Sequence, residues 1–404
     1  MARIVLLLPT ATYRASDFLD AARALDIEVL VGSEEPQTLA PSLVVPFDDP
    51  AAAADVIVEA AASSPVDAIV AVDEPGVVPA ALAAARLGLP HNPADAVAAT
   101  RDKARLRTRL AAASVSQPAF AVVHADVDGN MEAAVATVGL PCVVKPVSLS
   151  GSKGVIRADS TSDAIAASAR IRAMADDPTA PILVEAFAPG KEVAVEGIVE
   201  AGRFTVLAIF DKPDQVDGPY FPETLLVSPS RLDAEAQARV RDEMAAAVSA
   251  LGLVEGPVHG EARVELTAGG AVVRILEIAA RSIGGLCARA LRFGTGMSLE
   301  EVILRHAVGL PIASLDRERT AVGVAMLYAP SAGVLREVTG RDAAASVPGV
   351  EEIEITAPPG TIVAPLPEDA RYLGFVFARG EEPAQVEQAL RAAVAHIGMV
   401  VVDP

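Results

Sequence analysis

The sequence predicts three parts of mixed α/β and α+β architecture, the first of them Rossmann-like. Three observations carry that expectation. The chain has 404 residues, against a usual domain size of about 150. Residues 1–95 alternate short apolar runs with stretches of helical character, the pattern of βαβ units on a parallel sheet. Further along, strands follow one another across short turns, as in antiparallel hairpins.

Composition narrows the class. Hydrophobic residues make up 52% and charged residues 21%, with a mean hydropathy of +0.39, so the chain can build cores and is not disordered. Trp is absent and aromatics are 3%, which argues against stacking on aromatic platforms as a leading mode of recognition. A net charge of −20 repels phosphate backbones and anionic membranes, so neither nucleic acid nor membrane is an expected partner. Cys142 and Cys287 are far apart and form no CxxC, which excludes a zinc ribbon or a disulfide framework. The apolar run Ile4–Leu8 stops at Pro9, short of a signal-peptide core of about 7–15 residues, and no run reaches the ~18 apolar residues of a membrane span. A cytoplasmic location is expected.

The elements read in order. RIVLLLP (3–9) is a buried strand, then a helix over Asp17–Leu25 and the strand IEVLVG. A helix near Ala51–Ala61 leads to the strand DAIVAVD (67–73) and a helix over Val78–Leu87. No GxGxxG occurs in 1–95, so the layout carries no evidence of a dinucleotide. Ligands of such sheets sit beyond the carboxyl ends of strands, where Asp73 and Glu74 fall; a solvated turn before Pro75 explains them equally well. Helices at Pro93–Ala99 and Asp102–Ala113 precede the strands AFAVVH and CVVKP, then the loop VSLSGSKGV (147–155). Strands follow at 182–187, 192–200 and 203–212, a long helix at Asp233–Leu251, and the hairpin VHGEARVEL–TAGG–AVVRILEIA. From about Ala313 short strands lead to a helix at Pro383–His396 and the strand MVVV.

Three features carry chemistry. Only five basic residues are lysine, namely Lys103, Lys145, Lys153, Lys191 and Lys212; the other 28 are arginine. In such an arginine-biased chain a lysine is kept where a compact ammonium is needed, although chance clustering is an alternative. The loop SLSGSKG, directly after a strand, suits a phosphate: small residues let backbone N–H groups approach, and an ammonium adds charge. It lacks GxxxxGK[ST], so P-loop chemistry drops out. Glu261 and Glu277 fall mid-strand on either side of a short turn, with His259 and Arg263 sharing the face of Glu261, and Ala279 and Arg281 that of Glu277. Carboxylates on otherwise apolar strands need a compensating cation. Mg²⁺ is one explanation; ion pairs with Arg263 and Arg281 are the other.

In this order and spacing the residues resemble the ATP-grasp enzymes, which join a carboxylate to an amine or thiol through an acyl phosphate. The resemblance covers about residues 95–310. It implies a three-part layout: a Rossmann-like domain before the ATP-grasp domain (1–95), the ATP-grasp domain (96–310, with a mobile lid at about 115–190) and a C-terminal α+β lobe (311–404). ATP and Mg²⁺ are the implied cofactors, with Mn²⁺ as a substitute. Lys103 in RDKARLRTRL and Lys145 in CVVKP resemble the two ATP lysines. Ser150, Gly151, Ser152 and Lys153 resemble the loop that covers the β- and γ-phosphates. Glu185 resembles the residue near the adenine amino group, Ala186 and Phe187 those meeting the base edge through their backbone, and Glu192 the ribose ligand. Lys212 is a further candidate for the phosphates. Glu261 and Glu277 resemble the metal pair, and Arg281 the arginine on the transferred phosphate, with Lys153 and the backbone of Gly284 and Gly285 as its catalytic companions. Glu74, His259, Arg281 and Ser282 are candidates for meeting the substrate. The asparagine of the family's Glu-x-Asn-x-Arg is replaced here by Ala279.

The stretches FDKPDQVDGPYFPETLLVSPS, EIAARSIGGLC and LPEDARYLGFVFARGEEP most resemble L-amino-acid ligases that make dipeptides. The implied partners are small-molecule carboxylates and amines, with a homodimer as the candidate assembly. Two alternatives are a ligase resembling glycinamide ribonucleotide synthetase and a non-catalytic ATP-binding protein. The first would need a basic pocket for a ribose phosphate that residues 1–95 do not display; the second leaves the metal carboxylates and Arg281 without a task. A plain structural α/β protein leaves the glutamate pair unexplained.

Overall fold

In a computed structural model describing residues 1–38, 40–125 and 130–403, the strands Ser42–Val44, Glu28–Ser33, Arg3–Leu7 and Ala68–Ala71 form a parallel sheet in that spatial order. The apolar run at the start is continuous because both faces are covered. Ile4 and Leu6 enter one core, and Val5 and Leu7 the other. The helix after Ala68–Ala71 begins at Glu74, four residues before the expected Val78, and carries Pro75 in its first turn and Pro79 inside it. Two prolines hide a helix from sequence reading, yet Pro75 stands where its missing N–H costs nothing. The early start puts Glu74 at the mouth of the sheet.

The centre is an eight-stranded antiparallel sheet, ordered Gly270–Ala279, Gly256–Thr267, Lys191–Glu200, Arg203–Asp211, Leu225–Ser228, Ala321–Leu327, Gly374–Gly380, Val350–Ile355. Leu225–Ser228, which the sequence did not announce, bridges its two halves. The division expected at 310/311 therefore runs through one continuous sheet. The helix Ala234–Leu251 buries Val240, Met244 and Val248 against one face, while Leu299–Ala307 and Pro383–His396 pack elsewhere on the sheet with separate cores. A second antiparallel sheet, Phe120–Val123, Ile182–Ala186, Cys142–Pro146 and Ile156–Ala158, is backed by the helices Asn130–Val138 and Thr161–Met174 and has its own core. It is the lid. A small sheet of Ile362–Val363, Gly333–Thr339 and Gly398–Val402 completes the C-terminal lobe. Among the described residues no helix is long and apolar enough to cross a membrane.

Gly190 joins the lid to the strand Lys191–Glu200. Its φ is +104°, and a Cβ there would lie 2.4 Å from the Val264 carbonyl oxygen. Gly190→Ala should destabilise the protein by about 1–3 kcal/mol, seen as a lower urea midpoint at unchanged slope.

Candidate active site

One cavity of about 430 Å³ lies where the lid, the central sheet and the mouth of the parallel sheet meet. Its walls include Glu74, Lys103, Lys145, Ser150, Gly151, Ser152, Glu185, Phe187, Glu192, His259, Glu261, Glu277, Arg281, Gly284 and Gly285. Lys153, Ala186, Lys212 and Ser282, also expected at the site, are not among the lining residues.

The loop after Cys142–Pro146 turns through left-handed backbone at Gly151, Ser152 and Gly154 (φ 65°, 61° and 71°). Ser152 holds that conformation without being glycine, a cost tolerated where the surroundings dictate it. The loop is tied to the C-terminal lobe: Gly154 N–H donates to Pro367 O at 3.0 Å. Lys153 has only its backbone N–H engaged, to Ser150 O at 3.3 Å.

Behind the loop stands a buried ion-pair chain. Arg107, fully buried, donates from Nε to Glu185 Oε1 at 2.5 Å, from Nη1 to Ile275 O at 3.0 Å and from Nη2 to Leu276 O at 2.7 Å. The other Glu185 oxygen takes Lys145 Nζ at 2.7 Å. Burial pushes the Glu185 carboxyl up, but Arg107 and Lys145 outweigh it and bring it down to about 2. The carboxylate is thereby spent on cations and positions Lys145, instead of facing a base as the resemblance implied. The backbone N–H groups of Ala186 and Phe187 are likewise engaged, by Ala119 O and Pro141 O, and the Phe187 ring lies under Arg157 and Arg263. Lys103 Nζ donates to Leu149 O at 2.5 Å and lies 3.8 Å from Glu277 Oε2.

Glu261 and Glu277 face each other directly across the hairpin. The register slips there, leaving Leu276 as the extra residue of a β-bulge, and Arg107 holds the bulge carbonyls. The ion pairs offered as the alternative to a metal do not form. Arg263 goes to Glu192 and Asp217 at 2.7 and 2.9 Å, and Arg281 Nε to Glu74 at 2.9 Å. Lys212, expected at the phosphates, instead holds Glu192, Glu223 and Glu261 at 2.6, 2.7 and 3.0 Å. Burial disfavours its charge most, yet the three carboxylates together raise its pKa well above the ordinary value. Glu192, expected on a ribose, is bound to Lys212 and Arg263. Oxygens of Glu192, Glu223 and Glu261 all lie within 4.8 Å of one another, a hard donor set that suits Mg²⁺.

His259 stands opposite Ala279, at the place where the family's asparagine is missing. Its Nδ1 meets Glu196 Oε1 at 2.5 Å and its Nε2 lies 3.6 Å from Glu261 Oε1. Burial works against a charged ring, but Glu196 and Glu261 prevail and raise it to about 9. Glu196 also accepts from Ile283 N–H at 3.0 Å. Ser282 is corrected from substrate contact to anchor: its Oγ takes Arg14 Nη2 at 2.7 Å, and the same guanidinium reaches Val72 O at 3.2 Å. Arg14 thus ties the residue before Asp73 to the residue after Arg281, and so supports the Glu74–Arg281 pair from below. The solvated-turn reading of Glu74 does not hold. Sequence reasoning missed Arg107, Glu196, Glu223 and Arg14. Only Arg107 left a trace, one helical turn after Lys103.

Three family models match the chain: an ATP-grasp N-terminal domain over residues 19–91, an ATP-grasp domain over 138–290 and L-amino acid ligase C-terminal domain 2 over 325–402. Alanine–anticapsin ligase of Bacillus subtilis is 28% identical over 299 residues, covering 67% of this chain and 61% of that protein. The chain spans about three-fifths of the length of the curated relatives it matches. An L-amino acid ligase from Bacillus licheniformis superposes over 100% of this chain and 99% of its own with a TM-score of 0.81 at 23% identity. Phosphoribosylglycinamide synthetase from Anaerococcus prevotii superposes over 99% and 100% with a TM-score of 0.72 at 16% identity. Both share the fold.

Arg107→Met would leave Glu185 to Lys145 alone and unpair two carbonyls. It should cost about 3–5 kcal/mol in chemical denaturation. Because the folded-state carboxyl is depressed, the stability it contributes is complete above its ordinary value of 4.5 and fades as pH falls toward 2. The variant's deficit should therefore be largest near neutral pH and shrink in acid.

Proposed function

Because this chain is an ATP-grasp protein whose C-terminal lobe matches that of L-amino acid ligases, we propose that it is an ATP-dependent carboxylate–amine ligase acting on amino acids. A carboxylate oxygen attacks the γ-phosphorus of ATP and ADP leaves. The amine then attacks the acyl phosphate carbonyl, giving an amide and phosphate. The observation that supports this reading best is the convergence of Lys103, Lys145, the covering loop, the Glu74–Arg281 pair and the paired glutamates on one cavity.

Electrostatics would carry most of the rate. Lys145, held by Glu185, and Lys103, held at Leu149 O, are pre-aimed ammonium groups for the triphosphate. Burial lowers the Lys145 pKa, with Arg107 and Lys103 adding to the effect, so a phosphate restores the compensation that this ammonium lacks. Arg281 gives Nε to Glu74 and Nη1 to Ser282 O at 2.9 Å, which leaves Nη2 for the transferred phosphate. A Cβ built at Gly284 meets nothing within 4 Å, so its backbone is open to a developing oxyanion. Glu261 and Glu277, with Glu192 and Glu223 beside Glu261, are the residues that would hold Mg²⁺ or Mn²⁺; such an ion neutralises phosphate charge. The loop at 150–154 excludes water that would hydrolyse an acyl phosphate.

The nucleotide product is the decisive test: chromatography should show ADP, and AMP with pyrophosphate would overturn the acyl phosphate. Lys145→Ala should weaken ATP binding by roughly 10- to 100-fold in calorimetry, the worth of one charge-assisted hydrogen bond. The fold should persist, since Arg107 still holds Glu185; unchanged affinity would remove Lys145 from the site. Arg281→Lys keeps the charge but loses the planar fork. Its turnover should drop on the order of 100-fold, and near-normal turnover would reduce Arg281 to a partner of Glu74.

A further inference from the structure

The chain has no Trp and only four Tyr; two of them line this cavity and a third packs against one of those two. Tyr13, Tyr328 and Tyr372 join Phe375 in one edge-packed group, with ring centroids 5.3–6.4 Å apart. Tyr13 and Tyr372 line the cavity, with Phe221, Leu226 and Met326 beside them. We infer that this wall is the side-chain pocket for the carboxylate substrate, and that it selects an amino acid with a large apolar side chain, aromatic or branched. The inference rests on the ligase reading for where the carboxylate is activated.

Two further observations carry it. Two of the three hydroxyl groups are engaged within the protein: Tyr13 OH donates to Tyr372 O at 3.3 Å, and Tyr328 OH accepts from Glu223 N–H at 3.1 Å. The wall therefore offers rings more than polar tips, and an apolar group gains by covering them. Gly285 places the wall next to the chemistry. Its φ is +60°, and a Cβ there would lie 2.8 Å from the Phe375 ring and 3.3 Å from Tyr372 Cδ2. An acyl group activated at Gly284 and Gly285 thus has the Tyr372 ring within reach of its α-substituent. Cys287 Sγ on Met326 Sδ at 3.8 Å closes the floor with soft, polarisable atoms.

The test offers single acids with ATP, Mg²⁺ and hydroxylamine, which captures an acyl phosphate as a hydroxamate, and measures binding of the same acids by calorimetry with a non-hydrolysable ATP analogue. L-leucine, L-methionine and L-phenylalanine should exceed L-alanine, L-glutamate and L-lysine by on the order of 10-fold or more in both assays. Phe221→Ala and Tyr372→Ala should raise KM for the large acids more than they lower kcat; both residues are half-buried, and two independent variants keep the test decisive if one of them does not fold. Hydroxamate from alanine, glutamate or lysine in preference to the large acids would overturn the pocket and keep the ligase. Binding of the large acids with no hydroxamate and no ADP would keep the pocket and overturn the ligase. Failure of every acid to bind or react would overturn both.

Discussion

The site depends on a single buried guanidinium. Arg107 carries a full charge with no exposure to water, a state that is tolerable only when every donor direction is met. Its closest partners come from two places, Glu185 on the lid and Ile275 and Leu276 at the bulge of the central sheet, while Arg107 itself lies on a third, the helix Lys103–Ala112. Satisfying one side chain therefore fixes the lid strand, the bulge beside Glu277 and the helix that starts with Lys103. Lys145 follows, because Glu185 holds it with its second oxygen. Two of the expected nucleotide lysines and one of the expected metal carboxylates are placed by one desolvation constraint.

The same logic governs the acidic side of the cavity. The protein carries a net charge of −20, yet the buried and half-buried carboxylates of the cavity each have a cation: Lys212 for Glu192, Glu223 and Glu261, Arg263 again for Glu192, His259 for Glu196. Glu223 is the least compensated. Burial, with Glu261 and Glu192 adding to it, outweighs Lys212 and pushes its carboxyl up to about 7. Lys212 is shared by three carboxylates whose oxygens lie within 4.8 Å of one another, with Arg263 and His259 at its sides; this is part of the donor set proposed to hold a divalent cation. The arginine-biased composition made the five lysines visible as a group, but it could not separate their tasks. Lys103, Lys145 and Lys212 are buried, the first two beside one carboxylate each and the third holding three, while Lys191 is exposed.

Much of the architecture was legible because its signals are local. The continuous apolar run at Ile4–Leu8, the helix Pro383–His396 and the paired strands around TAGG are each written in consecutive residues. The elements that escaped are those without such a signal. Ser42–Val44 and Leu225–Ser228 are too short to show a period, and the first turn of Glu74–Leu87, ahead of the expected Val78 start, is masked by Pro75 and Pro79. At the site, side chains singled out from the pattern of their own strand, Glu261, Glu277 and Arg281 among them, line one cavity. Those whose task depends on a partner far along the chain were not: Glu185 and Arg107 are 78 residues apart, and Ser282 and Arg14 are 268 apart. Composition is silent on distribution: with an aromatic content of 3%, two of the four tyrosines, Tyr13 and Tyr372, still line the one cavity.

The C-terminal lobe is more than a support for the sheet. Its segment 366–372 touches both ends of the cavity: Pro367 O receives Gly154 N–H, Ala370 packs 3.1 Å from where a Cβ on Gly151 would stand, and Tyr372 forms part of the aromatic wall. The remaining ties from lid to lobe are weak by nature. Arg170 pairs with Glu368 at 2.6 Å with both side chains well exposed, a class of contact worth about 0–1 kcal/mol. Toward the C-terminal lobe the loop is held by one backbone hydrogen bond and a neighbouring surface ion pair, contacts that break at small cost, whereas the Arg107 junction behind it does not. The cavity thus has a firmly held back, where the buried charges sit, and a more loosely fastened front.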